Sequence, residues 1–158
     1  MKKNVMYLYG FVFAVVIISC SHSKPNPIPR DVSKARITMT RTACYGKCPI
    51  YTVTIYGTGV VEFEGFANTK LLGKHEAQIP VDSVRSLIAE IEKHEYYALN
   101  DSYETYQMTD LASVITEVTI DDRFKKINHY KGDLTTPQHL SSIEVRIDEI
   151  ATTHRWLE

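Results

Sequence analysis

Three local signatures of common chemistries are missing from this chain. It has no Gly-rich phosphate loop, no G-x-S-x-G nucleophile elbow and no H-E-x-x-H helix. Nucleotide binding, α/β-hydrolase chemistry and zincin chemistry therefore have no motif to rest on. Charge of one sign is not concentrated anywhere either. The 18 basic residues are matched by 19 acidic ones, without a Lys/Arg run or stripe, so nucleic acid has no electrostatic footprint. Internal repeats and low-complexity tracts are absent. Cysteine is scarce, with three in the whole chain. Only one long apolar run occurs, and it stands at the start.

That run lies in "MKKNVMYLYGFVFAVVIISC". Lys2 and Lys3 form a positive start, and uncharged residues from Val5 to Ile18 follow. The run suits the apolar centre of a signal peptide and is short for a membrane span of about 20 residues. It ends in Ile17-Ile18-Ser19-Cys20, which resembles the lipobox of bacterial lipoproteins. The resemblance implies cleavage before Cys20, a diacylglycerol on its sulfur, and firm attachment through several acyl chains. Residues 1–19 are thus expected to be a lipoprotein signal peptide. Residues 20–34 are expected to be the lipidated cysteine and a proline-bearing linker, "SHSKPNPIPRDVS", that lifts a domain off the membrane. The expected location is the cell envelope, lipid-anchored and periplasm-facing.

With Cys20 assigned to lipid, Cys44 and Cys48 remain as an even pair in a compartment that favours disulfides. Residues 35–158 have the size of one domain with one core. "ARITMTRT" alternates apolar residues with threonine, the pattern of a half-buried strand. "IYTVTIYGTGVVEFEGF" reads as a hairpin about Gly57-Thr58-Gly59, with Tyr51, Val53, Ile55, Val61 and Phe63 on one face. "TKLLGKHEAQIP" supplies a fourth strand. Val84, Leu87, Ile88 and Ile91 then mark a helix with Asp82 as its N-cap. A tyrosine-rich connection, "YYALNDSYETYQMTDLA", follows. "SVITEVTI" and "RFKKINHY" form a second hairpin about Asp121-Asp122. Thr136 and Pro137 read as an N-cap and first-turn proline of a second helix, with Leu140, Ile143, Ile147, Ile150 and His154 on its stripe. The expected architecture is α+β: a mainly antiparallel sheet in the order ββββαββα, with two helices packed on one face.

Three segments, "RTACYGKCPIYTVTIYGTGVVEFEG", "TDLASVITEVTIDDRFKKINHY" and "IDEIATTHRW", resemble the bacterial family known as domain of unknown function 6438. The likeness runs from about Arg36 to Trp156, and CYGKCPIY is its most specific part. It implies a secreted or lipid-anchored domain and supplies no catalytic residue.

The cysteine motif has three chemical readings. A turn through Tyr45-Gly46-Lys47 brings two Cα atoms within disulfide range, and Gly46 allows positive φ. Such a staple closes a short ring, for which loop entropy gives about 2 kcal/mol. Alternatively, C-x-x-x-C-P resembles the copper motif of periplasmic chaperones with a thioredoxin fold. Cys44 and Cys48 would then bind copper with His129, or His75, as third ligand, or would serve thiol redox chemistry. The βαβ pattern of a thioredoxin fold is missing.

Asp101, Tyr103 and Asp110, with Glu104 and Tyr106 nearby, form a possible functional loop for acid–base chemistry or a cation. An aspartate before a strand more often serves its local backbone. His94 and His154 read as packing or surface residues. No nucleophile–base set can be assembled, and no cofactor is implied. The expected role is binding or envelope structure, toward an envelope protein or ligand not identified by sequence. Copper or thiol chemistry, and an envelope hydrolase about Asp110, are the alternatives.

Overall fold

A computed structural model describes residues 31–105 and 107–157. The expected signal segment, Cys20, most of the linker and Tyr106 lie outside the described residues. The elements run β1 (Arg36–Arg41), β2 (Ile50–Tyr56), β3 (Val60–Ala67), β4 (Gly73–Gln78), α1 (Val81–Lys93), a 3-10 turn (Tyr96–Ala98), β5 (Ser102–Tyr103), β6 (Ser113–Ile120), β7 (Arg123–Tyr130), α2 (Gln138–Ala151) and α3 (His154–Leu157). The strands form a single seven-stranded sheet in the order β4-β3-β2-β1-β6-β7-β5. Every pairing is antiparallel except that of β5 with β7. The architecture is α+β with a mainly antiparallel sheet.

Element order departs from expectation in the tyrosine-rich connection. That segment contains a 3-10 turn and the two-residue β5, which lies parallel to β7 through Asn128 and His129. Two residues are too few to show a period-2 pattern. Both expected hairpins form, with turns at Gly57–Gly59 and Asp121–Asp122. Gly59 has φ +86°, and a Cβ on Gly57 would sit 1.6 Å from the Val32 carbonyl oxygen. The first glycine is thus needed for close approach and the second for the turn.

Alternation sorts the two sheet faces. Met39 opposes Val53 and Thr116, Val53 opposes Phe63, and Thr116 opposes Ile127. These side chains face the helices. From α1, Val84, Leu87, Ile88 and Ile91 are buried against them, and α2 adds Leu140, Ile143 and Ile147. Full burial of each such side chain contributes about 1.5–3 kcal/mol. The other face is polar, with Thr38–Thr54 and Thr40–Thr52 hydroxyl pairs at 3.1 and 2.9 Å. A recess of about 310 Å³ on that face is lined by Thr52, Thr54, Glu62, Glu64, Lys74 and Glu76, among others.

Helix ends differ from the expected caps by one or two residues. The N-cap of α1 is Pro80, and Asp82 instead lies within the first turn, where its charge suits the helix dipole. Pro137, not Thr136, caps α2. Thr152 takes a left-handed φ of 55° and ends α2, so His154 begins the separate turn α3 and is exposed. That break returns Trp156 to the core, stacked on Phe63 at 4.8 Å. Val32 is also buried, so the core reaches three residues before the expected domain start.

The antiparallel order gives the sheet two distinct ends. One carries the entry of β1 and both hairpin turns. The other carries the cysteine turn, residues 68–72, residues 104–105 and 107–112, and residues 131–137.

Candidate functional site

The cysteine turn joins the top of β1 to β2. Cys44 and Cys48 form a disulfide with Cα atoms 5.8 Å apart. Gly46 has φ +153°, and its N–H donates to the Cys44 carbonyl at 2.9 Å. From within the ring, the Tyr45 N–H donates outward to the Asp110 carbonyl at 3.0 Å. The Asn68 side-chain amide donates to the Cys48 carbonyl at 3.0 Å. Thr42 bonds the backbone of Ser113 in both directions. A covalent staple and three neighbouring segments thus fix the backbone, while the Tyr45 side chain is 89 % exposed.

Beneath the turn lies a polar clamp. Register places Gly65, Tyr51, Arg41, Val114 and His129 in one row across the sheet. The helix α2 crosses this row. Asp148 accepts the Tyr51 hydroxyl at 2.6 Å and the Arg41 guanidinium at 2.6 Å, while Arg41 Nε also donates to the Tyr51 oxygen at 2.9 Å. Thr153 adds a hydroxyl donor to Asp148 at 3.0 Å. Burial, and then the Asp148 charge, push the Tyr51 phenol well above its ordinary pKa, so it stays protonated and donates.

One helical turn earlier, Glu144 receives His129 Nδ1 at 2.5 Å and Lys131 Nζ at 3.0 Å. His129 is 3 % and Glu144 1 % exposed. Buried charge of this kind persists only when paired. The two carboxylates, four residues apart, each hold a polar side chain of the same sheet row.

The expected site residues separate into different places. Cys44 and Cys48 are joined to each other, and His129 is held under α2 by Glu144. No group of three or more His, Cys, Asp or Glu able to hold a metal ion occurs among the described residues. His75 bonds the Leu72 carbonyl at 2.9 Å on β4. Asp101 pairs with Lys125, and its carbonyl accepts the Asn128 N–H at 2.9 Å. Tyr103 is buried in β5, its hydroxyl accepting the Asn100 N–H at 3.2 Å. Asp110, with φ 67°, reaches the cysteine turn through its backbone. Asp101 and Tyr103 thus serve the β7 edge, and Asp110 serves the turn.

Sequence reasoning missed Arg41, Tyr51 as a polar group, and Asp148. The signal was available in β1. Arg41 follows Ile37 and Met39 at period two, and an arginine at the end of a core-facing stripe calls for a partner anion. Its partner, 107 residues away, had no such marker.

The family model described as Domain of unknown function (DUF6438) matches residues 35–151. The chain belongs to this family. The match takes in the whole sheet, α1 and α2, including both cysteines and the clamp beneath them. No curated protein matches the chain. Among the described residues no helix is long and apolar enough to cross a membrane.

Proposed function

We propose that this DUF6438 member is a lipid-anchored, periplasm-facing lipoprotein whose domain binds an envelope partner through the stapled turn. The observation that carries the reading is the contrast within the motif. Cys44 and Cys48 close the turn and Arg41 and Tyr51, the strand residues at its base, are tied to Asp148, while Tyr45, anchored through its backbone N–H, is exposed at the tip. A rigid loop loses little entropy on binding. Tyrosine supplies large contact area at a small rotamer cost. Lys47 is exposed beside it, and Met108 and Leu111 are partly exposed apolar residues in the neighbouring segment.

The topology supports the same orientation. The chain enters the domain at Val32–Ala35, at the end with the hairpin turns. The stapled turn stands at the opposite end. A tether from Cys20 would leave that end facing away from the membrane.

The test is photo-crosslinking in intact cells from a probe residue at position 45 of the full chain. The expected result is a discrete adduct that a probe at the exposed Phe124 does not give. The same adducts from both positions, or none from position 45, would remove the reading.

A further inference from the structure

The outer edge of β4 ends the sheet, and among the described residues no strand pairs with it. Charged residues on such an edge ordinarily keep other chains away. Here their arrangement is self-complementary. The strand reads Gly73-Lys74-His75-Glu76-Ala77-Gln78. When two copies are placed antiparallel with His75 opposite His75, Lys74 of each lies opposite Glu76 of the other. Shifting the register by one pair either way puts Lys74 opposite Lys74 or Glu76 opposite Glu76.

The face relationship agrees. Lys74 and Glu76 pair with Glu64 and Glu62 on the polar side of the sheet. In the register centred on His75 both copies keep their helices on the same side, so one sheet continues through the two-fold axis. All of β4 is exposed except His75 and Ala77, which are half-buried. Gly73 has open space around it.

We propose that β4 is an interface with a second copy of this chain, an isologous strand pair centred on His75. Two Lys74–Glu76 pairs, one each side of the axis, select the register. Main-chain hydrogen bonds supply the attachment, as in other strand additions.

Charge swaps in the full chain, purified in detergent and followed by sedimentation velocity against concentration, test this. The parent should show a monomer–dimer equilibrium. Lys74→Glu should weaken it about tenfold or more, because two opposed cross-strand pairs turn repulsive together. Glu76→Lys should do the same. The double variant Lys74→Glu/Glu76→Lys restores both pairs and should return to within about threefold of the parent, as expected when the two sites couple directly. All these positions are exposed, and the restored double variant separates loss of pairing from loss of fold. A parent that stays monomeric would overturn the proposal. So would a double variant as weak as the singles, or dimers indifferent to all three changes.

Discussion

Asp148 accepts the hydroxyl proton of Tyr51 at 2.6 Å, joining α2 to β2 across 97 residues of chain. The bond lies directly below the cysteine turn, since Tyr51 is three residues beyond Cys48. At this row α2 meets Arg41 and Tyr51 through Asp148, and His129 through Glu144. The stability of α2 and the position of the turn are therefore linked through one carboxylate.

Tyr51→Phe keeps the ring stacked on Phe63 at 5.3 Å and removes only the hydroxyl. Loss of a hydrogen bond to a charged acceptor should cost about 2 kcal/mol. Chemical denaturation measures it, and a change below about 0.5 kcal/mol, the range of ordinary surface substitutions, would show the clamp to be unimportant.

Glu144→Ala removes the anion between His129 and Lys131. Breaking a buried pair should cost about 3 kcal/mol. Glu149→Ala, on the exposed side of the same helix, should stay within about 0.5 kcal/mol. Equal midpoints for the two variants would contradict the burial argument.

Cys44→Ala/Cys48→Ala should still fold, losing about 2 kcal/mol because the ring is short. Crosslinking from position 45 should fall by a larger factor than stability does, since the freed loop must be ordered on binding. The parent from an oxidising compartment should carry no free thiol at either position. Free thiols, with tight stoichiometric Cu(I) uptake lost on His129→Ala, would instead establish the copper alternative.

Asp133 accepts the Thr135 N–H at 2.7 Å, the Thr135 hydroxyl at 2.6 Å and the Thr105 N–H at 2.9 Å. The hydrogen bonds from Thr135, then Thr105, hold its carboxyl below its ordinary pKa. With the folded value depressed, its stabilisation is complete above about pH 4, the unfolded range, and is lost as pH falls through the lower folded value. Asp133→Asn should therefore show a shallower fall in melting temperature below about pH 4 than the parent. Parallel acid limbs would show that the carboxylate contributes nothing.

Cys20→Ala should abolish palmitate labelling and leave an uncleaved precursor or a soluble periplasmic form. Unchanged labelling would refute the lipid anchor.

The two hairpins, both apolar helical stripes and the cysteine staple are determined by residues near one another in sequence. Period-2 alternation in "RITMTR" and "SVITEVTI" and glycines at a two-strand turn state local preferences that no distant residue must supply. Tertiary structure alone decided three further matters. β5 exists because β7 offers Asn128 and His129 for pairing, not because Ser102 and Tyr103 form a strand by themselves. Thr152 ends α2 where Trp156 must turn back onto Phe63, although the apolar spacing runs on to His154. The clamp of Arg41, Tyr51 and Asp148 is also invisible to any short window, because its members meet only when β1, β2 and the end of α2 are packed together. Local pattern records which side chains must leave water. Which polar groups they take with them, and what those groups then find, depends on contacts made across the whole chain.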